Sequence, residues 1–383
     1  LERLADDRLR TLPERASLAI VVAELGGREL RAVVSGGGGS GAGGGPGGGA
    51  GRAGAMDLTR AVRSPGSAMK PFVYAMAFQD GIAGPATRVD DLPRRFGAYA
   101  PEDFDRTFQG GVTAADALRR SLNLPAVALL DRVGPLRFAA AVKGAGARLI
   151  LPPGADPSLP LALGGAGITL RDLAGLYAAL ATDGTARALH PQGPGDARAF
   201  LQPRAAEAIA EVLTQRFPDG GPGGVAWKTG TSWGGRDAWA MGFDAAHVAG
   251  VWVGRPDGTP LPGATGRNLA LPLLARVMEL LPPAPRPLPR PEPPRPALAA
   301  PAGAEEALRL LFPPPGAVLS GEGTVVLRVM GGRRPLTFLV DGARLPADPA
   351  RREAAWLPPG PGFYRLTVLD AEGGVARAAV RVR

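Results

Sequence analysis

Two short β-branched runs, Leu18-Ala19-Ile20-Val21-Val22 and Leu30-Arg31-Ala32-Val33-Val34, predict a pair of strands near the start of the chain. Further on, Met69, Phe72, Val73 and Met76 recur at i, i+3, i+4 and i+7, which predicts a helix over residues 67–80, buried on one face and ended by Gly81. Thr113 is placed to cap a second helix running to Arg119, and Pro125 stands where the next can begin. Residues 121–123 therefore fall on a connection between helices. Thr169 with Asp172 makes an approximate capping box for a helix over 170–182, and 203–215 carries another helical pattern. After Gly224 the pattern changes to strands at 225–232, 238–243 and 247–253, joined by Gly and Asp turns. That is an antiparallel meander, closed by a helix over 268–281.

From Pro282 to Pro301 proline dominates, so an extended linker is predicted at 282–303 between a first domain, 1–281, and a second, 304–383. A chain of 383 residues has room for two such domains. In the second, strands at 324–330, 336–341, 363–370 and 375–382 alternate with Gly-Pro turns, the pattern of a small β-sandwich. Residues 35–54 are Gly, Ala, Ser and Pro with little else. The Gly-Lys-Ser/Thr ending of a phosphate-binding loop is absent, so a flexible loop is the expectation.

Composition removes several kinds of chemistry. The chain has no cysteine, hence no disulfide and no thiolate metal site, and only His190 and His247 offer an imidazole. Both facts argue against a metal centre and a Ser-His-Asp triad. The formal charge of +9 comes from scattered arginines without an aromatic-basic patch, which argues against nucleic acid and leaves a weak attraction to an acidic envelope polymer. No apolar run approaches the roughly 18 residues a membrane span needs. The chain opens Leu1-Glu2-Arg3, with neither Met nor a leader, so a piece of a longer protein is expected, its membrane anchor lying elsewhere.

Lysine and asparagine are the informative residues. Lys70, Lys143 and Lys228 are the only lysines, so 41 of the 44 basic residues are Arg, and Asn123 and Asn268 are the only asparagines. Where such a chain keeps Lys or Asn, Arg or Asp would fail. Ser67-Ala68-Met69-Lys70 puts a hydroxyl and an amine three residues apart on one helix face, a nucleophile beside a base. Lys can accept the proton once burial or a second cation lowers its pKa, whereas Arg does not deprotonate. Alone the tetrapeptide is weak, the bland alternative being a capped helix with a surface Lys. Ser121-Leu122-Asn123 adds a hydroxyl to relay a proton and a carboxamide to orient Lys70 and the substrate backbone, or else is an ordinary cap. Lys228-Thr229-Gly230-Thr231 lies on a predicted strand whose Gly lets another backbone approach. A peptide could dock there as an added strand, its carboxylate held by Lys228, Thr229 and Thr231. The backbone amides of Ser67 and Thr231 would form an oxyanion hole.

Two of the three lysines and one of the two asparagines thus fall in three motifs, and their conjunction carries weight that none has alone. With RAVRSPGSAMKPF at 60–72, ALRRSLNLPAV at 117–127, LGGAG at 163–167 and WKTGTSWGGRDAWAMG at 227–242, the chain resembles the class A, bifunctional penicillin-binding proteins. The 1C type is the particular match, extending to the C-terminal β domain and covering roughly three quarters of the chain.

The resemblance implies an α/β (α+β) serine transpeptidase, or β-lactamase-like, fold with a five-stranded antiparallel sheet flanked by helices, followed by a small all-β sandwich. It implies that Ser67 attacks the penultimate D-alanine carbonyl of a peptidoglycan stem peptide ending in D-Ala-D-Ala. The amine of a second stem would then resolve the acyl-enzyme, and β-lactams would acylate the same serine. It implies no cofactor, a periplasmic site at the bacterial inner membrane, a preceding glycosyltransferase domain in the intact protein, and a cell-wall protein partner for the β domain. Three features depart from the family pattern: the glycine-rich stretch beside the sheet edge, Asp103 where relatives often carry Asn before Phe104, and the short linker after Pro282.

Three other readings compete. A class A β-lactamase needs a Glu-x-x-x-Asn loop, and no Asn occurs between Asn123 and Lys228. A DD-carboxypeptidase uses the same residues with water as acceptor. A β-lactam sensor or degenerate peptidoglycan-binding module would acylate without turnover, against which the intact motifs argue.

Overall fold

A computed structural model of the chain describes residues 1–36, 56–93, 95–96, 99, 101, 109–193, 195–287, 308–320, 323–348, 351–371 and 373–383. The glycine-rich segment beyond Gly36, Asp103 with Phe104, and residues 288–307 lie outside them. Two units separate, Leu1–Arg290 and Pro291–Arg383.

In the first unit the strands β1 (Ser17–Glu24), β2 (Leu30–Ser35), β3 (Ala226–Thr231), β4 (Asp237–Phe243) and β5 (His247–Gly254) form one antiparallel sheet in the order β2-β1-β5-β4-β3. Both faces are covered. Along β1, Ala19, Val21 and Ala23 enter one core while Leu18, Ile20 and Val22 enter the other. That is why these strands read as continuous apolar runs instead of alternating ones. The helices α1 (Glu2–Thr11) and α8 (Leu271–Glu279) cover the second face. On the first face lie α2 (Lys70–Gln79), α3 (Ala114–Arg119), α4 (Asn123–Val133), α5 (Pro135–Gly144), α6 (Leu170–Ala181) and α7 (Pro203–Leu213).

Several expectations are refined. The helix predicted over 67–80 is a 3-10 turn, Gly66–Met69, running into α2, and every residue from Lys70 to Ala77 is buried, so α2 is sheathed on all sides. Burying a side chain such as Phe72 contributes about 1.5–3 kcal/mol. The helix expected from Pro125 begins at Asn123, with Pro125 in the first turn where its missing N–H leaves nothing unpaired. The closing helix is a π-turn, Gly266–Ala270, followed by α8. Nor does the proline-rich segment leave the body at residue 282. Ala245 N–H donates to the Ala284 carbonyl and Arg286 N–H to that of Gly224, each at 2.8 Å, and the Arg286 guanidinium lies 5.5 Å from the Phe243 ring centroid.

The second unit is all β. A three-stranded sheet pairs β6 (Arg309–Phe312), β8 (Val325–Met330) and β11 (Glu353–Trp356). A five-stranded sheet runs β7-β13-β12-β9-β10, from Val318–Leu319 through Val375–Val382, Gly362–Leu369 and Thr337–Val340 to Ala343–Arg344. Leu327, Phe338, Trp356, Leu366 and Val380 share the core of this unit. Sequence reading missed β6, β7, β10 and β11, which are only two to four residues each, too short for a period-two pattern to show.

Candidate active site

Pro65 and Gly66 turn the chain into the 3-10 segment that carries Ser67. Residues three apart eclipse in such a helix, so Ser67 and Lys70 share one side of the entry to α2. Two glycines let this turn lie backbone to backbone on β3. Gly66 has φ of 53°, and a Cβ on it would sit 2.2 Å from the Thr231 carbonyl oxygen; a Cβ on Gly230 would sit 2.2 Å from that of Pro65. Two buried donors from other elements and one hydroxyl of the turn itself fasten it. Trp239 Nε1–H reaches the Ser64 carbonyl at 2.8 Å, Ser64 Oγ–H the Gly164 carbonyl at 2.7 Å, and Tyr177 O–H the Ala68 carbonyl at 2.8 Å.

Lys70 is 0% exposed, yet its amine is well supplied with acceptors: the carbonyls of Ser121 at 2.5 Å and Leu122 at 3.0 Å, and Asn123 Oδ1 at 2.6 Å. Ser121 supplies its carbonyl because it adopts φ of 63°, a left-handed conformation that an L-residue holds only when its surroundings over-determine it. Its hydroxyl meets the other buried amine. Lys228 Nζ donates to Ser121 Oγ at 2.7 Å and to the Thr229 carbonyl at 2.9 Å, and burial lowers its pKa from 10.5 to about 7. Ser121 therefore touches both lysines, one through each of its oxygens.

On β3, one edge pairs with β4, while the other is covered at its start by Thr214 bridging Ala226 and by Gln215 N–H donating to the Val225 carbonyl. Among the described residues no strand covers the edge from Lys228 to Thr231. Thr229 and Thr231 are half-buried there, and Thr231 Oγ1 accepts from Gly266 N–H at 3.0 Å, which leaves its own proton to donate. Trp233, 88% exposed, stands in the turn just beyond.

The structure thus brings together Ser67, Lys70, Ser121, Asn123, Lys228, Thr229, Gly230 and Thr231, contributed by three separate segments. The remaining rare residues are elsewhere. Lys143 is exposed at the end of α5, and Asn268 closes a capping box with Thr265, accepting from Thr265 N–H at 2.8 Å. Sequence reading missed Ser64, Tyr177 and Trp239. Tyr177 looked like one more apolar residue of a buried helix, and Trp239 like one more strand residue. Among the described residues no cluster of His, Asp and Glu could hold a metal ion.

The site's geometry has counterparts among known proteins. A family model described as the penicillin binding protein transpeptidase domain matches residues 49–243, and one described as the penicillin-binding protein C-terminus family matches 297–382. Penicillin-binding protein 1C of Escherichia coli is 43% identical over 289 residues, covering 73% of this chain and 36% of that protein. Penicillin-binding protein 1F of Bacillus subtilis is 29% identical, covering 51% of this chain and 30% of its own length. The chain therefore spans about a third of the length of these relatives. The structure of the PonA1 protein from Mycobacterium tuberculosis in complex with penicillin V superimposes with a TM-score of 0.61 at 22% identity, over 76% of this chain and 86% of that one. That likeness bears out the expected transpeptidase fold, and the 43% identity bears out the resemblance to the 1C type. With the transpeptidase match alone spanning just over half of its length, the chain belongs to the penicillin-binding protein transpeptidase family.

Proposed function

We propose that this chain is a serine DD-transpeptidase that cross-links peptidoglycan stem peptides, and that Ser67 is its nucleophile. The observation that carries the reading is Ser121 set between two buried amines, beside a serine at a helix entry and an open strand edge. In acylation, Ser67 Oγ bonds to the carbonyl carbon of the penultimate D-alanine as its proton passes to the Lys70 amine, a step that requires this amine to have lost a proton beforehand. The N–H groups of Ser67 and Thr231 stabilise the oxyanion, a term worth about 3–4 kcal/mol per donor. The C–N bond then breaks, the departing D-alanine taking the proton through Ser121.

Deacylation reverses these roles. The amine of a second stem attacks the ester, loses its proton through the same relay, and Ser67 Oγ leaves protonated. Lys228, Thr229 and Thr231 hold the donor's terminal carboxylate, and Asn123 holds Lys70 and the peptide backbone. In a β-lactam the broken C–N bond leaves the amine tethered, which would hold acceptors off the ester. Such chemistry belongs on the periplasmic face of the inner membrane, in a protein whose preceding part would carry a glycosyltransferase and the membrane anchor.

The test is incubation with a stem pentapeptide ending in D-Ala-D-Ala and an amine acceptor, following D-alanine release and the coupled product. Release with coupling, both lost in Ser67→Ala, is expected. Release into water alone would make the chain a carboxypeptidase, and no release would refute the assignment.

A further inference from the structure

The outer face of the five-stranded sheet in the C-terminal unit carries four arginines and a single neighbouring carboxylate, Asp341, whose Oδ1 accepts from the Arg365 backbone N–H at 2.7 Å. Along β12 and β13, Leu366, Val368, Ala376, Ala378, Val380 and Val382 point into the core. The register then sets Phe363 opposite Arg381, Arg365 opposite Ala379 and Thr367 opposite Arg377 on the other face. Arg365 is the diagonal neighbour of both Arg377 and Arg381, about 7–8 Å away on the sheet. Leu339 of β9 lies opposite Thr367 and pairs in turn with Arg344 of β10, which brings a fourth guanidinium to the same face.

All four arginines are exposed, and none makes an ion pair among the described residues. The three-stranded sheet behaves differently. There Arg328 lies 3.6 Å and Arg351 3.4 Å from Glu353, and Arg351 also 3.7 Å from Asp348. Like charges crowded on one sheet face repel one another, so a folded domain that keeps them there gains from an anionic partner. Apolar surface accompanies the charge. Phe363 is 79% exposed with the Arg381 guanidinium 5.4 Å from its ring centroid, and Val318, 54% exposed, pairs with Arg381 on the far side.

Guanidinium groups read carboxylates as two-pronged partners, and an exposed aromatic ring accepts the C–H faces of sugars and peptide backbone. We propose that this face binds the carboxylate-bearing stem peptides of peptidoglycan strands and holds the enzyme on its polymer independently of the active site. The choice of polymer rests on the proposed function; the surface itself does not.

The experiment is co-sedimentation of the full chain with purified peptidoglycan sacculi, in a Ser67→Ala background so that acylation contributes nothing. Replacing Arg365, Arg377 and Arg381 together by Ala is expected to weaken binding about tenfold, a difference that high salt erases. Amidating the sacculus carboxylates should reduce both proteins to the same weak binding. The triple replacement by Lys keeps the charge but not the two-pronged geometry, so it should bind sacculi more tightly than the Ala variant and less tightly than the parent, which separates lost contacts from lost folding. Equal binding by the Ala variant would overturn the inference, as would undiminished binding to amidated sacculi. Tighter arginine-dependent capture by anionic phospholipid vesicles or by an acidic protein would also overturn it. Failure of the transpeptidase reading would look different: sacculus binding intact, but no D-alanine released by the unmutated enzyme.

Discussion

Replacing Lys228 by Met should stabilise the first unit while abolishing its chemistry, and the gain should depend on pH in a defined direction. Lys228 is 1% exposed, and burial lowers its pKa from 10.5 to about 7, a displacement worth about 5 kcal/mol at 1.36 kcal/mol per unit. Below pH 7 the amine is charged in both the folded and unfolded chains, so the fold bears the whole penalty. As pH rises from 7 towards 10.5, the folded amine is neutral while the unfolded one still binds a proton, and stability rises. Methionine has nearly the same shape and no charge, but it strands two acceptors, Ser121 Oγ and the Thr229 carbonyl, at about 1 kcal/mol each. The net gain for Lys228→Met is therefore about 3 kcal/mol at pH 6, shrinking to near zero by pH 9. Urea unfolding followed by tryptophan fluorescence is the assay, since Trp227, Trp233, Trp239 and Trp252 all lie in this unit. A variant less stable than the parent at pH 6, or a difference that does not change between pH 6 and 9, would refute the reasoning.

The same amine should shape catalysis: if its ammonium holds the substrate carboxylate, kcat/KM for a stem peptide falls as pH rises through about 7, and a flat profile from pH 6 to 9 would contradict that role. Because Ser121 holds φ of 63°, Ser121→Gly should be about 1 kcal/mol more stable than Ser121→Ala in denaturant titration, and equal stability would count against the strain. Tyr177→Phe deletes the donor to the Ala68 carbonyl beneath Ser67. It is expected to lower stability by about 1–2 kcal/mol and to slow acylation by a β-lactam measured in stopped flow; neither change would mean the turn is fastened without it.

Much of the candidate site was legible because the proposed chemistry uses residues this chain otherwise avoids. Two of the three lysines kept among 44 basic residues, and one of two asparagines, marked positions where the proposed chemistry needs a neutralisable amine or a donor-acceptor carboxamide, and the structure gathers them. The sheet was legible as five runs, though not its order, since β1 must pair with β5 across more than two hundred residues and no local signal encodes that. What fastens the site was hidden for a different reason. Trp239 and Tyr177 satisfy the apolar pattern of buried elements, and only three-dimensional proximity shows that their polar tips hold the Ser64–Ala68 carbonyls. The left-handed Ser121 was equally invisible, because a tertiary contact with two lysines, and not local propensity, imposes it.

The most direct test of the chain as a transpeptidase acylated on Ser67 is the intact mass after incubation with benzylpenicillin, followed over hours beside Ser67→Ala. A single adduct that forms on the unmutated chain, persists, and is absent from the variant is the expected result. An adduct that survives Ser67→Ala, or one that disappears within minutes as free hydrolysed penicillin accumulates, would contradict it: the first by moving the nucleophile elsewhere, the second by making the enzyme a β-lactamase.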